Sequence, residues 1–413
     1  MLLFYIFSVL SYSVRRLIAV IDLLRIGLIF TLTIFLLRRK WNVGTVMLMA
    51  SGSLAVIYML SPEKVFLAIS NTITSRITWE LIIVLTFIRF LEAILRESNI
   101  LGRMMQTMKA LIGNAMAVTV SMPLLIGMLP SVGGAYFSAP MVDEATRNTD
   151  LTPEEKTFLN YWYRHPWELI LPLYPGIVLA TLLTSVDLRK YILINLPGAL
   201  TMVAGGFLFT RKIKKDEHPK APLPRGFLLD FLPIILLFIM VIVFNLSLAL
   251  SIVLMVIVLL LILRYPPKKV KHIVKNGFSL NVVLLILGVI SFKETLEISG
   301  AVNNLSLFFA ELSIPTMTLL FFLPFITGLL TGITVGFVSS SFPLILSLIG
   351  NDPVGFGFAF TAGYVGVLLS PVHVCLILTR EYFHADMGKS YRKIIPAAAL
   401  VLSVAISEYL LLR

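Results

Sequence analysis

Residues 120–143 (V-S-M-P-L-L-I-G-M-L-P-S-V-G-G-A-Y-F-S-A-P-M-V-D) and 321–344 (F-F-L-P-F-I-T-G-L-L-T-G-I-T-V-G-F-V-S-S-S-F-P-L) follow one pattern. Each is an apolar run broken at its centre by Gly, Ser, Thr or Pro and then resumed. A constant shift of 201 positions lays Pro123 on Pro324, Gly127 on Gly328 and Leu129 on Leu330, and reaches back without a gap to Leu95 and Leu296. Irregular backbone at membrane depth survives only where protein buries it or a cavity wets it. Such interruptions at matching places in two halves of a chain are the sequence sign of a transport site.

Hydrophobic residues make up 58% of the 413 and charged residues 14%, whereas soluble domains carry about half and about a quarter. The chain therefore reads as an all-α polytopic membrane protein, with runs reaching the roughly 20 residues that cross a bilayer as helix. Its net charge of +12 does not point to nucleic acid, because Lys and Arg fall in short loops between apolar runs, where they set topology. The single cysteine, Cys375, excludes an intramolecular disulfide framework and a Cys-based metal cluster. No His, Asp or Glu cluster has metal spacing, no Gly-rich loop ends in Lys-Ser/Thr, and no soluble stretch could house a nucleotide domain. Neither an enzyme, nor a resident metal or cofactor, nor an ATP-driven pump is expected.

Apolar runs predict helices near 17–37, 43–60, 77–95, 166–186 and 190–210, then 227–244, 246–263, 281–298, 354–379 and 394–412. Residues 1–16 are apolar but too short to span and lack a basic leader, so an interfacial or dimer-contact segment is expected there. The interrupted segments, 115–142 and 315–349, become re-entrant hairpins between the third and fourth helix of each half. The first repeat covers 17–210 and the second 227–413, joined by a basic linker, 211–226. With both termini outside the inner (cytoplasmic) membrane of the cell, 24 of the 34 Lys and Arg lie in inside loops, 7 outside and 3 within spans. That is the bias of the positive-inside rule. Five spans per half is an odd number, so the second repeat is inverted: about 10 spans and 2 hairpins, with the hairpins entering from opposite sides.

The segments L-P-S-V-G-G-A-Y-F-S-A-P-M-V-D (129–143), G-L-L-T-G-I-T-V-G-F (328–337) and L-L-S-P-V-H-V-C-L-I-L-T (368–379) resemble an uncharacterised prokaryotic membrane family, domain of unknown function 401, of the ion transporter superfamily. The resemblance runs over nearly the whole chain. It implies kinship with gluconate, lactate, citrate and dicarboxylate permeases, and an elevator-type homodimer whose mobile domain carries both hairpins past a scaffold. It supplies no substrate. The sodium-coupled dicarboxylate members carry Ser-Asn-Thr at both hairpin tips. Here Ser70-Asn71-Thr72 lies before the third helix, read as a helix cap, and neither hairpin has the motif. H⁺ and Na⁺ both remain open as the coupling ion.

The first tip, Pro130 to Gly134, offers Ser131 and the adjacent Gly133 and Gly134, which allow close backbone approach. The resumed helix would aim its N-terminal amides at an anion, with Ser138 adding a hydroxyl. Tight helix packing by small residues is the alternative reading. The second tip offers Thr331, Gly332 and Thr334. Ser339, Ser340 and Ser341 follow, of which one or two at most can face a site while the others bond back to the preceding turn. Pro371, paired with Pro175 at a shift of 196, frees a carbonyl within a span. His373 is titratable at membrane depth, either as a coupling group or as a neutral interhelical donor. Arg89 with Glu92, and Lys293 with Glu294 and Glu297, are spaced for neutralising pairs.

Tips without carboxylates, lined by amides and hydroxyls, suit an anion. The expected function is a secondary-active carrier of a small organic anion, a carboxylate, coupled to H⁺ or Na⁺. Its partners are then the substrate, the bilayer and a second copy of the chain, with no nucleic acid. A passive anion channel and a membrane scaffold or accessory subunit are the competing readings. Accumulation against a gradient separates the first from the carrier, and tolerance of bulky residues at Gly133 or Gly332 would mark the second.

Overall fold

The computed structural model describes residues 2–111, 115–128, 134–147, 149–208, 227–301, 304 and 314–413. Every regular element among them is helical, as expected of an all-α chain with the make-up of a membrane protein. The first half runs α1 (Leu2–Arg38), α2 (Val43–Ile57), α3 (Pro62–Thr74), α4 (Arg76–Glu97), α5 (Ile100–Leu111), α6 (Ala115–Gly127), α7 (Gly134–Ala145), α8 (Pro153–Arg164), a 3₁₀ turn (Pro166–Leu169), α9 (Pro175–Thr184) and α10 (Leu188–Phe207). The second runs α11 (Phe227–Phe238, continued by a π-turn to Val243), α12 (Leu248–Ile262), α13 (Pro267–Gly277) and α14 (Leu280–Ser299). It ends with α15 (Thr316–Thr331), α16 (Thr334–Ile349), α17 (Pro353–Leu368), α18 (Val374–Phe383) and α19 (Met387–Leu412). The linker 211–226 lies outside the described residues.

Local chemistry sets these limits. Asn42, Asp187, Ser247, Asp352 and Asp386 accept amide hydrogen bonds at the starts of α2, α10, α12, α17 and α19, and Thr152 with Glu155 forms a capping box on α8. Proline occupies the first position of α3, α8, α9, α13 and α17, where its missing amide costs nothing. Inside helices it recurs at matching places: Pro123 and Pro324 in α6 and α15, Pro140 and Pro343 in α7 and α16, Pro197 and Pro396 in α10 and α19.

The helices are more fragmented than the apolar runs suggest. Among the described residues, Val20–Arg38 and Met387–Leu412 are long and apolar enough to cross a bilayer unbroken. The α13–α14 pair is a third candidate, bent by 43°. The remaining apolar helices are 10–17 residues long. The helix predicted at 166–186 begins earlier, at Pro153, and is split between Arg164 and Pro175. That at 354–379 is split between Leu368 and Val374. Residues 2–16, expected as a separate segment, form the first turns of α1 itself.

Contacts within and between the halves come in matching pairs. α6 packs on α8 as α15 does on α17, and α7 lies against α18 as α16 does against α9. α10 meets α17 while α19 meets α8, and α2 on α14 is matched by α12 on α4. Gly44 and Gly288 let α2 and α14 touch backbone to backbone: a Cβ on Gly288 would lie 2.4 Å from the Gly44 carbonyl oxygen.

Polar contacts tie separate segments of the chain together. Lys156 pairs with Asp143 (2.7 Å), Lys393 with Glu155 (3.3 Å), Arg103 with Asp230 (2.7 Å) and His272 with Glu97 (3.7 Å). Asn304 reaches Asp22 (2.7 Å), Asn71 reaches Glu294 (3.0 Å) and Arg413 reaches Asp352 (3.7 Å). Asn71 is thus a mid-helix bridge, and Ser75 holds the cap position of α4. Lys293 pairs with both Glu294 and Glu297 as its spacing suggests. Arg89 instead donates to the Gly277 carbonyl at 2.7 Å and Glu92 pairs with Arg96, because α13 comes closer to Arg89 than its own helix neighbour does.

Candidate functional site

Two broken helices cross where the halves meet. Pro166 cannot continue α8 by an amide, so the chain turns through the 3₁₀ segment and restarts at Pro175. α17 stops before Ser370-Pro371, and α18 restarts with His373 as its cap residue. A helix end leaves carbonyls without intrahelical partners. Here each break is capped by a tyrosine from the other half. Tyr161 of α8 donates to the Leu368 carbonyl (2.9 Å), and Tyr364 of α17 donates to the His165 carbonyl (2.6 Å).

Helices α6 and α15 both end against these breaks. The carbonyls ending α6 take hydrogen bonds from the first break, Leu124 from Trp167 (2.7 Å) and Gly127 from Tyr174. At the second tip the Gly332 carbonyl faces His373 Nδ1 at 2.7 Å. Gly127 and Gly328, aligned by the repeat, do the same work. A Cβ on either would lie 2.1 Å from a backbone oxygen of the broken helix beside it, Arg164 O or Gly363 O.

At the crossing, His165 and His373 place their Nε2 atoms 3.1 Å apart. Each ring is fixed at Nδ1 by a carbonyl, His165 by Tyr161 (2.5 Å) and His373 by Gly332. Arg164, 1% exposed, reaches Cys375 Sγ with Nη1 at 3.4 Å. Glu168 Oε1 lies 3.8 Å from His165 Nε2. His165, His373 and Cys375 each offer one ligand atom, and these lie within 4.8 Å of one another.

Of the residues singled out from sequence, Ser131 and Gly133 lie outside the described residues. Gly134 opens α7, and Ser138 is buried within it. Gly332 ends α15 at φ +68°, a conformation glycine takes without strain, and a Cβ there would meet Ser370 and His373. Thr331 bonds back to Thr327 O (2.7 Å), and Thr334 starts α16 against Gly176 of α9. Ser339 and Ser340 are buried and both bond to the Gly336 carbonyl, while Ser341 bonds to Phe337 O. All three serine hydroxyls therefore serve helix α16. Pro371 lies within the second break and Pro175 ends the first. His373 is the predicted residue that stands at the centre.

Residues 22–412 match the model of a family described as a protein of unknown function (DUF401). The chain belongs to that family. Among curated proteins none matches it significantly. In this DUF401 chain sequence reasoning passes over Arg164, His165 and Cys375 as site residues. The charge count assigns Arg164 to an inside loop, and Cys375 stands some 200 residues from the other two. The signal was present in Tyr161 to Pro166, where an Arg-His pair precedes a proline inside an aromatic run. Intramembrane ionisable groups of that kind mark functional sites by default.

Proposed function

We propose that this protein is a secondary-active carrier of a small organic anion, a carboxylate, driven by an H⁺ or Na⁺ gradient through elevator-like alternating access. One observation carries the reading: Arg164 is buried where both helix breaks and the end of α6 converge. A guanidinium keeps its charge in any surroundings and matches a carboxylate with two parallel donors. Three helix N-termini also start at this crossing, those of α9, α16 and α18, and their positive dipole ends favour an anion.

The matching element order, the paired prolines and the reciprocal contacts support two inverted repeats, each of five spans and one hairpin. The broken helices α8–α9 and α17–α18 then count as one span each. The charge bias assigns the segments holding Lys156 and Lys393 to the cytoplasm and both termini to the outside. The homodimer and the sliding of a hairpin-bearing body come from the resemblance to carboxylate permeases.

The test is uptake into proteoliposomes of labelled mono-, di- and tricarboxylates under imposed H⁺ or Na⁺ gradients. Accumulation above the external concentration is expected from the wild type. Arg164→Gln should abolish it while Arg164→Lys retains part. Downhill flux without accumulation would establish a channel instead, and undiminished uptake by Arg164→Gln would remove the anion from this site.

A further inference from the structure

We propose that His165, His373 and Cys375 bind one divalent metal ion of the Zn²⁺ class, tying the broken helix of the first half to that of the second. This does not depend on the carrier reading.

The argument begins with hydrogen atoms. The carbonyl oxygens of Tyr161 and Gly332 can only accept, so the Nδ1 atoms they face must carry the protons. Both Nε2 atoms therefore present lone pairs, and they lie 3.1 Å apart. Two acceptors at that distance repel unless a cation lies between them. Ligand nitrogens on one tetrahedral Zn²⁺, at about 2.0–2.1 Å from the ion, stand roughly 3.3 Å apart. The observed separation fits that arrangement.

A proton could also join the two rings, but it would use nothing else in the cluster. The third group decides for a metal. Cys375 Sγ completes a set of three soft or borderline donors with all ligand atoms within 4.8 Å, of the His/Cys type that zinc prefers. The outer contacts are those of a metal site as well. Ligating histidines nearly always donate their other nitrogen to a carbonyl or carboxylate, and both do so here. Arg164 Nη1, 3.4 Å from the sulfur, is placed to donate to a thiolate. Glu168 Oε1 lies 3.8 Å from His165 Nε2, and a carboxylate is a further ligand type zinc accepts.

The experiment uses the full-length untagged protein in detergent, exposed to Zn²⁺, freed of excess ion by gel filtration and assayed for bound metal. One zinc per chain is expected. His373→Ala and Cys375→Ser should weaken binding by more than about 100-fold, since losing even an outer partner costs about 10–100-fold. His272→Ala and His384→Ala, on the exposed surface, should leave it intact. Co²⁺ in the wild-type protein should show tetrahedral d–d bands and a thiolate charge-transfer band, a readout that needs no variant to fold. Metal-free wild-type protein, equal zinc in His373→Ala, or a Co²⁺ spectrum without the thiolate band would each overturn the proposal.

Discussion

Tyr161 and Tyr364 hold the crossing together through single hydroxyl groups. Each is buried, and each hydroxyl meets a carbonyl that helix geometry has left open. Removing the hydroxyl strands the acceptor in a dry interior, at about 1–3 kcal/mol. Tyr161→Phe and Tyr364→Phe should each lower stability by that much in chemical denaturation of the detergent-solubilised protein. Tyr265→Phe, at the α12–α13 turn and half-exposed, should change it by less than about 0.5 kcal/mol. His373 could be picked out in sequence because it stands beside a proline in an apolar run. Arg164 could not, because the neighbouring Glu154, Glu155 and Lys156 give α8 the look of a loop. From Thr157 to Arg164 every residue of that helix is buried, although its composition is polar.

Helices α6 and α15 meet the broken helices through glycine contact. The likeness of these two helices was legible: a proline, then a glycine four positions later, recurs 201 residues apart in two interrupted runs. The breaks in the crossing helices were half legible, since Pro175 and Pro371 mark them but give no hint that the fourth helix starts at Pro153. A period of apolar residues reports burial against lipid or protein alike, so a short polar helix enclosed by protein escapes it. Gly127→Leu and Gly328→Leu should both prise an arm from its broken helix. A loss of about 1–3 kcal/mol or more is expected, because the obstacle is a backbone carbonyl that cannot rotate away. Gly52→Leu on α2, where a Cβ meets nothing within 4 Å, is the control. Similar melting temperatures for all three would show that the arms are not packed as described.

For the whole molecule, the proposed layout makes a topological claim that labelling can check. Asn245 and Ser247 line a cavity with Arg76, Asp187 and Arg189, which that layout puts outside together with Arg413. In intact cells a membrane-impermeant thiol reagent should modify Asn245→Cys and Arg413→Cys, but reach Lys156→Cys and Lys393→Cys only after permeabilisation. Cys375 is buried and should stay silent in the parent protein. Modification of all four from the same face would dismantle the proposed layout.

The mutual capping of the two breaks also has a consequence in time. His165 is made 199 residues before Tyr364, the side chain that caps its carbonyl. At roughly 5–20 residues per second, synthesis leaves that carbonyl waiting about 10–40 s for its donor. The first half therefore enters the membrane with its site unfinished, and it is the late arrival of α17 that completes it. A ribosome that stops before residue 364 has not made a smaller version of this protein. It has made a chain with an open break and nothing of its own to close it.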